Sequence, residues 1–87
     1  MKNLLNLTGR EKLLARLQAY SSGPNPIYPP EPTAARTMAE LGLSKTRLDG
    51  FVRPWVNSEF GKGKDLYKRG DLKPTVTYGE LCTKCGV

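Results

Sequence analysis

The chain of 87 residues predicts one small domain, mainly α with a small β-hairpin. Three observations point there. Apolar residues recur at helical spacing in two stretches, one around Leu13 and Leu17 and one from Leu41 to Trp55. Between them, five of the seven prolines fall within residues 21–32, where no helix can pass. After residue 60 the pattern changes to lysine, glycine and alternating Val-Thr-Tyr, which suits short strands and turns. A chain of this length buries only about 60–65% of its unfolded surface, so a large enclosed active site is not expected.

The chain divides into an N-terminal helix (1–20), a Pro-rich connector (21–32), a helix-turn-helix (33–60), a basic hairpin (61–80) and a tail with a C-x-x-C pair (81–87). In the first helix, Thr8 and Glu11 form a T-x-x-E capping box, and Leu13, Leu14 and Leu17 make one apolar stripe beside Tyr20. Leu4, Leu5 and Leu7 extend the apolar surface upstream and offer a dimer contact. The connector is expected to be extended, with Ile27 and Tyr28 pinning it to the body.

Thr33 and Ser44 can cap the two helices of the central unit. Gly42 falls where the chain must turn with positive φ. Leu48, Phe51 and Trp55 follow at spacings of three and four and are expected to face inward. The expected core is Leu13, Leu17, Met38, Leu41, Leu43, Leu48, Phe51 and Trp55. Two residues weaken the second helix. Gly50 costs roughly 1 kcal/mol relative to alanine, and it permits close approach of another backbone or a neighbouring helix. Pro54 is expected to stop the helix near Val52 or to open a new turn, PWVNSEF. In the basic run, Leu66-Tyr67 and Val76–Tyr78 read as strands, and Arg69, Gly70 and Asp71 supply a turn. Pro74 places the second strand at an edge.

The segment AELGLSKTRL resembles the centre of a DNA-binding helix-turn-helix: apolar, Gly, apolar, Ser, basic, Thr, then an apolar residue four positions after Ser44. One position departs, because Met38 stands where many members carry a small residue. GKGKDLYKRGDL, residues 61–72, resembles the wing of small excisionase-type and MerR-type domains. The resemblance covers Thr33 to about Lys73. It implies a winged helix-turn-helix, a sequence-specific binder of double-stranded DNA that serves as a transcriptional regulator or an excisionase-like architectural factor, as carried by phages and mobile elements.

The charge fits that expectation. The formal net charge is +6. Residues 33–60 are close to neutral and the flanks are basic, which suits flanks that hold phosphates around a helix that reads bases. The expected DNA-binding residues are Arg36, Ser44, Lys45, Thr46, Arg47, Asp49 and Arg53 on the helix-turn-helix, with Lys62, Lys64, Lys68 and Arg69 on the wing. Lysine and arginine can meet guanine O6 and N7, and a threonine methyl can touch thymine. Asp49 can reject bases or hold Arg53 at i,i+4.

Cys82 and Cys85 form CTKC, which looks like half of a zinc ribbon. Zinc would need carboxylates such as Asp71 or Glu80, or two cysteines from each chain of a dimer. Otherwise the pair is two reduced thiols near a frayed end, and no cofactor is expected. Histidine is absent, the acids are scattered and no phosphate-binding glycine loop exists, so no catalytic set and no small-molecule substrate are expected. No run of about twenty apolar residues is present, and the expected location is cytoplasmic. The rival expectation is a small protein-binding module or inhibitor that uses the same scaffold to dock a protein partner.

Overall fold

A computed structural model describes residues 9–21 and 36–87. The Thr8 and Thr33 caps, the upstream leucines and the connector with Ile27 and Tyr28 lie outside these residues. The described structure is mostly helical, and it contains no strand. No helix in it is long and apolar enough to cross a membrane.

The first helix, α1 (Gly9–Tyr20), buries Leu13 and Leu17 as its stripe predicts. Two side-chain hydrogen bonds, one in each direction, join its C-terminal end to the central unit. Arg47 donates from Nη1 to the Tyr20 carbonyl at 3.4 Å. Ser21 Oγ donates to the Leu41 carbonyl at 2.8 Å. These bonds seat the end of α1 on the central unit.

The expected first helix of the helix-turn-helix is a single turn in the described residues. Thr37 and Glu40 form its capping box: Thr37 Oγ1 accepts from Glu40 N at 3.2 Å, and Glu40 Oε2 accepts from Thr37 N at 3.3 Å. Gly42, with φ of 90°, closes the turn. There Leu43 N donates to the Met38 carbonyl and Gly42 N to the Ala39 carbonyl, the paired bonds of a Schellman terminator. Start and stop signals five residues apart leave no room for a longer helix.

Ser44 caps the next helix as predicted, its Oγ accepting from Arg47 N at 3.3 Å. From Lys45 to Gly61 the backbone forms one helical rod. It runs through α2 (Lys45–Arg47), a π-helical stretch (Leu48–Val52), α3 (Arg53–Val56) and a second π-helical stretch (Asn57–Gly61). Pro54 therefore does not stop the helix. In an α-helix its ring would strike the Gly50 carbonyl and leave a carbonyl unpaired. The π turn before it is wider, and Arg53 N reaches back five residues to the Leu48 carbonyl. The wider turn also changes which residues face inward. Leu48, Val52 and Val56 are each 0% exposed, whereas Phe51 is 51% exposed and Trp55 is half-buried. A stripe at a steady spacing of four drifts around an α-helix of 3.6 residues per turn. Interleaved π turns hold more residues per turn and keep it in line. Phe51 and Trp55 are thus corrected out of the core, and Val52 and Val56 replace them.

The run after the rod makes turns, not paired strands. Asn57 explains the first part. Its Oδ1 accepts from Leu66 N at 2.9 Å and Tyr67 N at 3.1 Å, and its Nδ2 donates to the Tyr67 carbonyl at 3.0 Å. One side-chain amide thus satisfies the backbone groups that a second strand would otherwise engage. Lys68–Asp71 form the predicted turn, with Asp71 N donating to the Lys68 carbonyl and Gly70 at φ of 86°. An isolated antiparallel bridge joins Thr37 to Thr77 and ties the capped turn to the second half of the chain.

The last helix, α4 (Tyr78–Cys85), replaces the expected strand and tail. Thr77 caps it through Oγ1 to Glu80 N at 3.0 Å, and Gly86 ends it at φ of 78°. Tyr78, Leu81 and Cys82 are buried in the common core, which also takes in Leu72. Tyr78 reaches α1, its hydroxyl donating to the Arg10 carbonyl at 3.2 Å. Val87 packs so closely on the start of α1 that a Cβ at Gly9 would overlap its side chain.

Candidate nucleic-acid interface

The sequence-predicted DNA-binding residues separate into three groups. The first is the opening turn of the rod. Ser44, Lys45 and Thr46 are exposed there, held at the surface because Leu43 and Leu48 on either side are buried. Beside them lies the Lys68–Asp71 turn, joined to the rod by the Asp49 carboxylate, whose Oδ1 accepts from Gly70 N at 3.0 Å. The result is an open cleft of about 370 Å³ lined by Lys45, Thr46, Asp49, Gly50 and Arg69. Two positions separated by most of the rod and a loop, Lys45 and Arg69, become neighbours through one side-chain hydrogen bond.

The second group serves the fold. Asp49 holds the turn and faces Arg53 at i,i+4, with Arg53 Nε 3.7 Å from Asp49 Oδ1. Arg53 is mostly covered, at 19% side-chain exposure, so it supplies charge behind the cleft and not a reaching donor. Arg47 is half-buried with its guanidinium on the Tyr20 carbonyl. Arg36 is half-buried and its carbonyl accepts from Tyr78 N at 2.7 Å.

The third group is distant. Lys62, at φ of 48°, and Lys64 are exposed where the rod ends. They stand at the opposite end of the rod from Lys45. Lys68 is exposed beside Arg69 in the turn. The basic residues therefore flank the rod at both ends, and only Arg69 of the four lines the cleft.

Gly50 lines the same cleft, and a Cβ built on it would meet nothing within 4 Å. Among the described residues no neighbouring helix requires the glycine. That leaves a bare patch of backbone facing open space between Lys45, Thr46 and Arg69.

The two cysteines lie on α4. Cys82 is 0% exposed, and Cys85 is half-buried. Burial, and then the neighbouring Cys82, push the Cys85 thiol up to about 12. A metal shared between two chains would require Cys82 to leave the core. Among the described residues no group of three or more His, Cys, Asp or Glu is placed to hold a metal ion.

Sequence reasoning missed Asn57 and the contribution of Arg16. Arg16 lies over the rings of Tyr20, at 5.8 Å, and Trp55, at 5.3 Å. Its spacing from Tyr20, i,i+4 on α1, was the available signal. Compared with protein families, with curated proteins and with solved structures, the chain matches none.

Proposed function

We propose that this protein binds double-stranded DNA and acts as a transcriptional regulator or an architectural factor of the excisionase kind, with no catalytic activity of its own. In this reading the fold is a reduced winged helix-turn-helix. The first motif helix is the single capped turn Thr37–Gly42, and the wing is the pair of basic turns around Lys62–Lys64 and Lys68–Arg69. The opening turn of the rod enters the major groove, where Lys45 and Thr46 meet base edges. Arg69 grips a phosphate on one side of the groove, and Lys62 and Lys64 grip the backbone further along.

The observation that carries the reading is the cleft that sets Arg69 beside Lys45, Thr46 and the bare Gly50. A base-reading donor and a phosphate-holding cation stand on adjacent elements, with uncovered backbone between them. The charge distribution supports it, since basic groups lie at both ends of the rod and the net charge is +6.

The test is selection of random duplex DNA by the purified protein, with binding of the enriched sequence followed across salt. An enriched motif with a steep salt slope is expected, the slope reporting the number of phosphates neutralised. Steep salt dependence without a motif assigns the architectural role. Absence of binding at low salt refutes DNA binding.

A further inference from the structure

The flank of the rod that faces α1 carries a second surface. Phe51 is the one large apolar side chain left exposed among the described residues, at 51%. It stacks on Tyr20 with ring centroids 5.3 Å apart and planes at 20°. Arg16 spans the gap from Tyr20 to Trp55, and Trp55 meets Phe60 edge-on at 5.4 Å. Phe51, Tyr20, Arg16, Trp55 and Phe60 thus form a continuous row along the seam between α1 and the rod. None of these five side chains lines the cleft that holds Lys45 and Arg69, which is bounded by the Lys68–Asp71 turn.

We infer that this row docks an acidic amphipathic segment of a partner protein, with an apolar side chain set against Phe51 and a carboxylate against Arg16. Aromatic and arginine side chains clustered in this way are the usual anchors of protein–protein contacts. The charge decides the partner. Lys12 is paired with Glu59 at 2.9 Å and Arg53 with Asp49, whereas Arg16 is exposed and in neither of these ion pairs, the nearby Glu59 carboxylate being engaged first by Lys12 and only at longer range by Arg16. An incoming carboxylate therefore finds a guanidinium already fixed over two rings. A second copy of this chain fits less well, because Glu59, the carboxylate beside this row, is already paired with Lys12, so a two-fold contact would bring Arg16 no free acid. Single-stranded nucleic acid also fits less well. Bases stack on open ring faces, and here Tyr20 and Trp55 are engaged by Phe51, Arg16 and Phe60.

Trp55 is the only tryptophan in the chain, so its emission reports on the row. The probe is a synthetic helical peptide with leucine and phenylalanine on one face and glutamate and aspartate on the other. Titration is expected to give a saturable change in Trp55 emission, weakened by salt. Phe51→Ser and Arg16→Glu should each weaken it about tenfold or more. Both variants should keep the wild-type circular dichroism spectrum. Phe51→Ser should also keep wild-type binding to duplex DNA, so failure here is distinguishable from failure of the DNA reading. The inference is overturned if the wild-type protein gives no emission change, if both variants bind like wild type, or if a lysine-for-acid version of the peptide binds equally. It is also overturned if oligothymidylate occupies the row with loss in Phe51→Ser, or if sedimentation finds a dimer that Phe51→Ser dissolves.

Discussion

Replacing Gly50 with alanine separates the demands of the fold from those of the ligand. Gly50 lies inside the π-helical stretch Leu48–Val52 and is not among the glycines with positive φ. A Cβ there meets no atom within 4 Å, so the substitution introduces no clash in the free protein. Glycine within a helix is less favourable than alanine by roughly 0.5–1 kcal/mol, mostly through the entropy of the unfolded chain. Gly50→Ala should therefore stabilise the protein by that amount. For a domain of this size each kcal/mol moves Tm by about 4–8 °C, so a rise of about 2–8 °C is expected in a thermal melt followed by circular dichroism. The same methyl projects into the cleft beside Lys45 and Arg69. If DNA backbone seats there, the methyl should weaken duplex binding by about fivefold or more, as overpacking by about 1 kcal/mol or more does elsewhere. The two readouts refute different steps. A fall in Tm would show that the geometry at Gly50 does not tolerate a side chain. A rise in Tm with unchanged DNA affinity would show that the glycine does not lie at the interface.

The other expectations use different residues. Lys45→Ala should relax sequence preference at one position, by roughly 1–3 kcal/mol for a lost bidentate base contact, in competition assays with single-base variants of the selected site. Arg69→Ala should instead weaken all sequences alike and lower the slope of log affinity against log salt by about one. Asn57→Ala should destabilise the protein by about 2–4 kcal/mol in denaturant titration, because it strands the amides of Leu66 and Tyr67, and Asn57→Asp should recover only part of that, because it keeps the acceptor but sets a carboxylate oxygen against the Tyr67 carbonyl and Asp65. Cys85 should react slowly with thiol reagents at pH 8 in the native protein and quickly once unfolded. Its thiol ionises near 9.0 in the ordinary case and near 12 here. The unfolded chain loses that proton first, so stability should fall as pH rises from about 9 toward 12, and Cys85→Ala should flatten that part of the curve.

The parts of the fold readable in the sequence are those governed by local chemistry. Leu13 and Leu17 give α1 its stripe, Ser44 caps the rod, and Gly42 turns with positive φ. Each depends on a neighbour within a few residues. The phase of the rod was misread because Leu48, Phe51 and Trp55 fit an α-helix, while Leu48, Val52 and Val56 fit a helix widened around Pro54. Proline is an obvious local break, but whether it ends a helix or widens it depends on what packs against the turn before it. α4 carried signals that the alternation of Val76 and Tyr78 obscured. Thr77-x-x-Glu80 is a capping box pattern, Tyr78, Leu81, Cys82 and Cys85 follow helical spacing, and Gly86 stands where a helix ends. The expected hairpin is not shown among the described residues: strand periodicity says nothing about what the backbone will pair with, and Asn57 engages Leu66 and Tyr67 instead. At the site, the exposed turn Ser44–Thr46 was legible for the same local reasons. Its neighbour Arg69 was not, since the Asp49–Gly70 bond that brings it there is a tertiary contact.

The clasp between the two ends of the described structure bears on how the chain folds as it is made. Tyr78 bonds to the Arg10 carbonyl across 68 residues. The core that covers Leu13 and Leu17 also contains Leu81 and Cys82. Helical domains fold fastest when their contacts are local, and this one closes through contacts between its most distant parts, so its folding should be slower than its helix content suggests. At roughly 5–20 residues per second of synthesis, α1 waits about 3–14 s for α4. Throughout that interval its leucine stripe lacks the α4 part of its cover, and the nascent chain is then most open to chaperones and to mispairing with its neighbours.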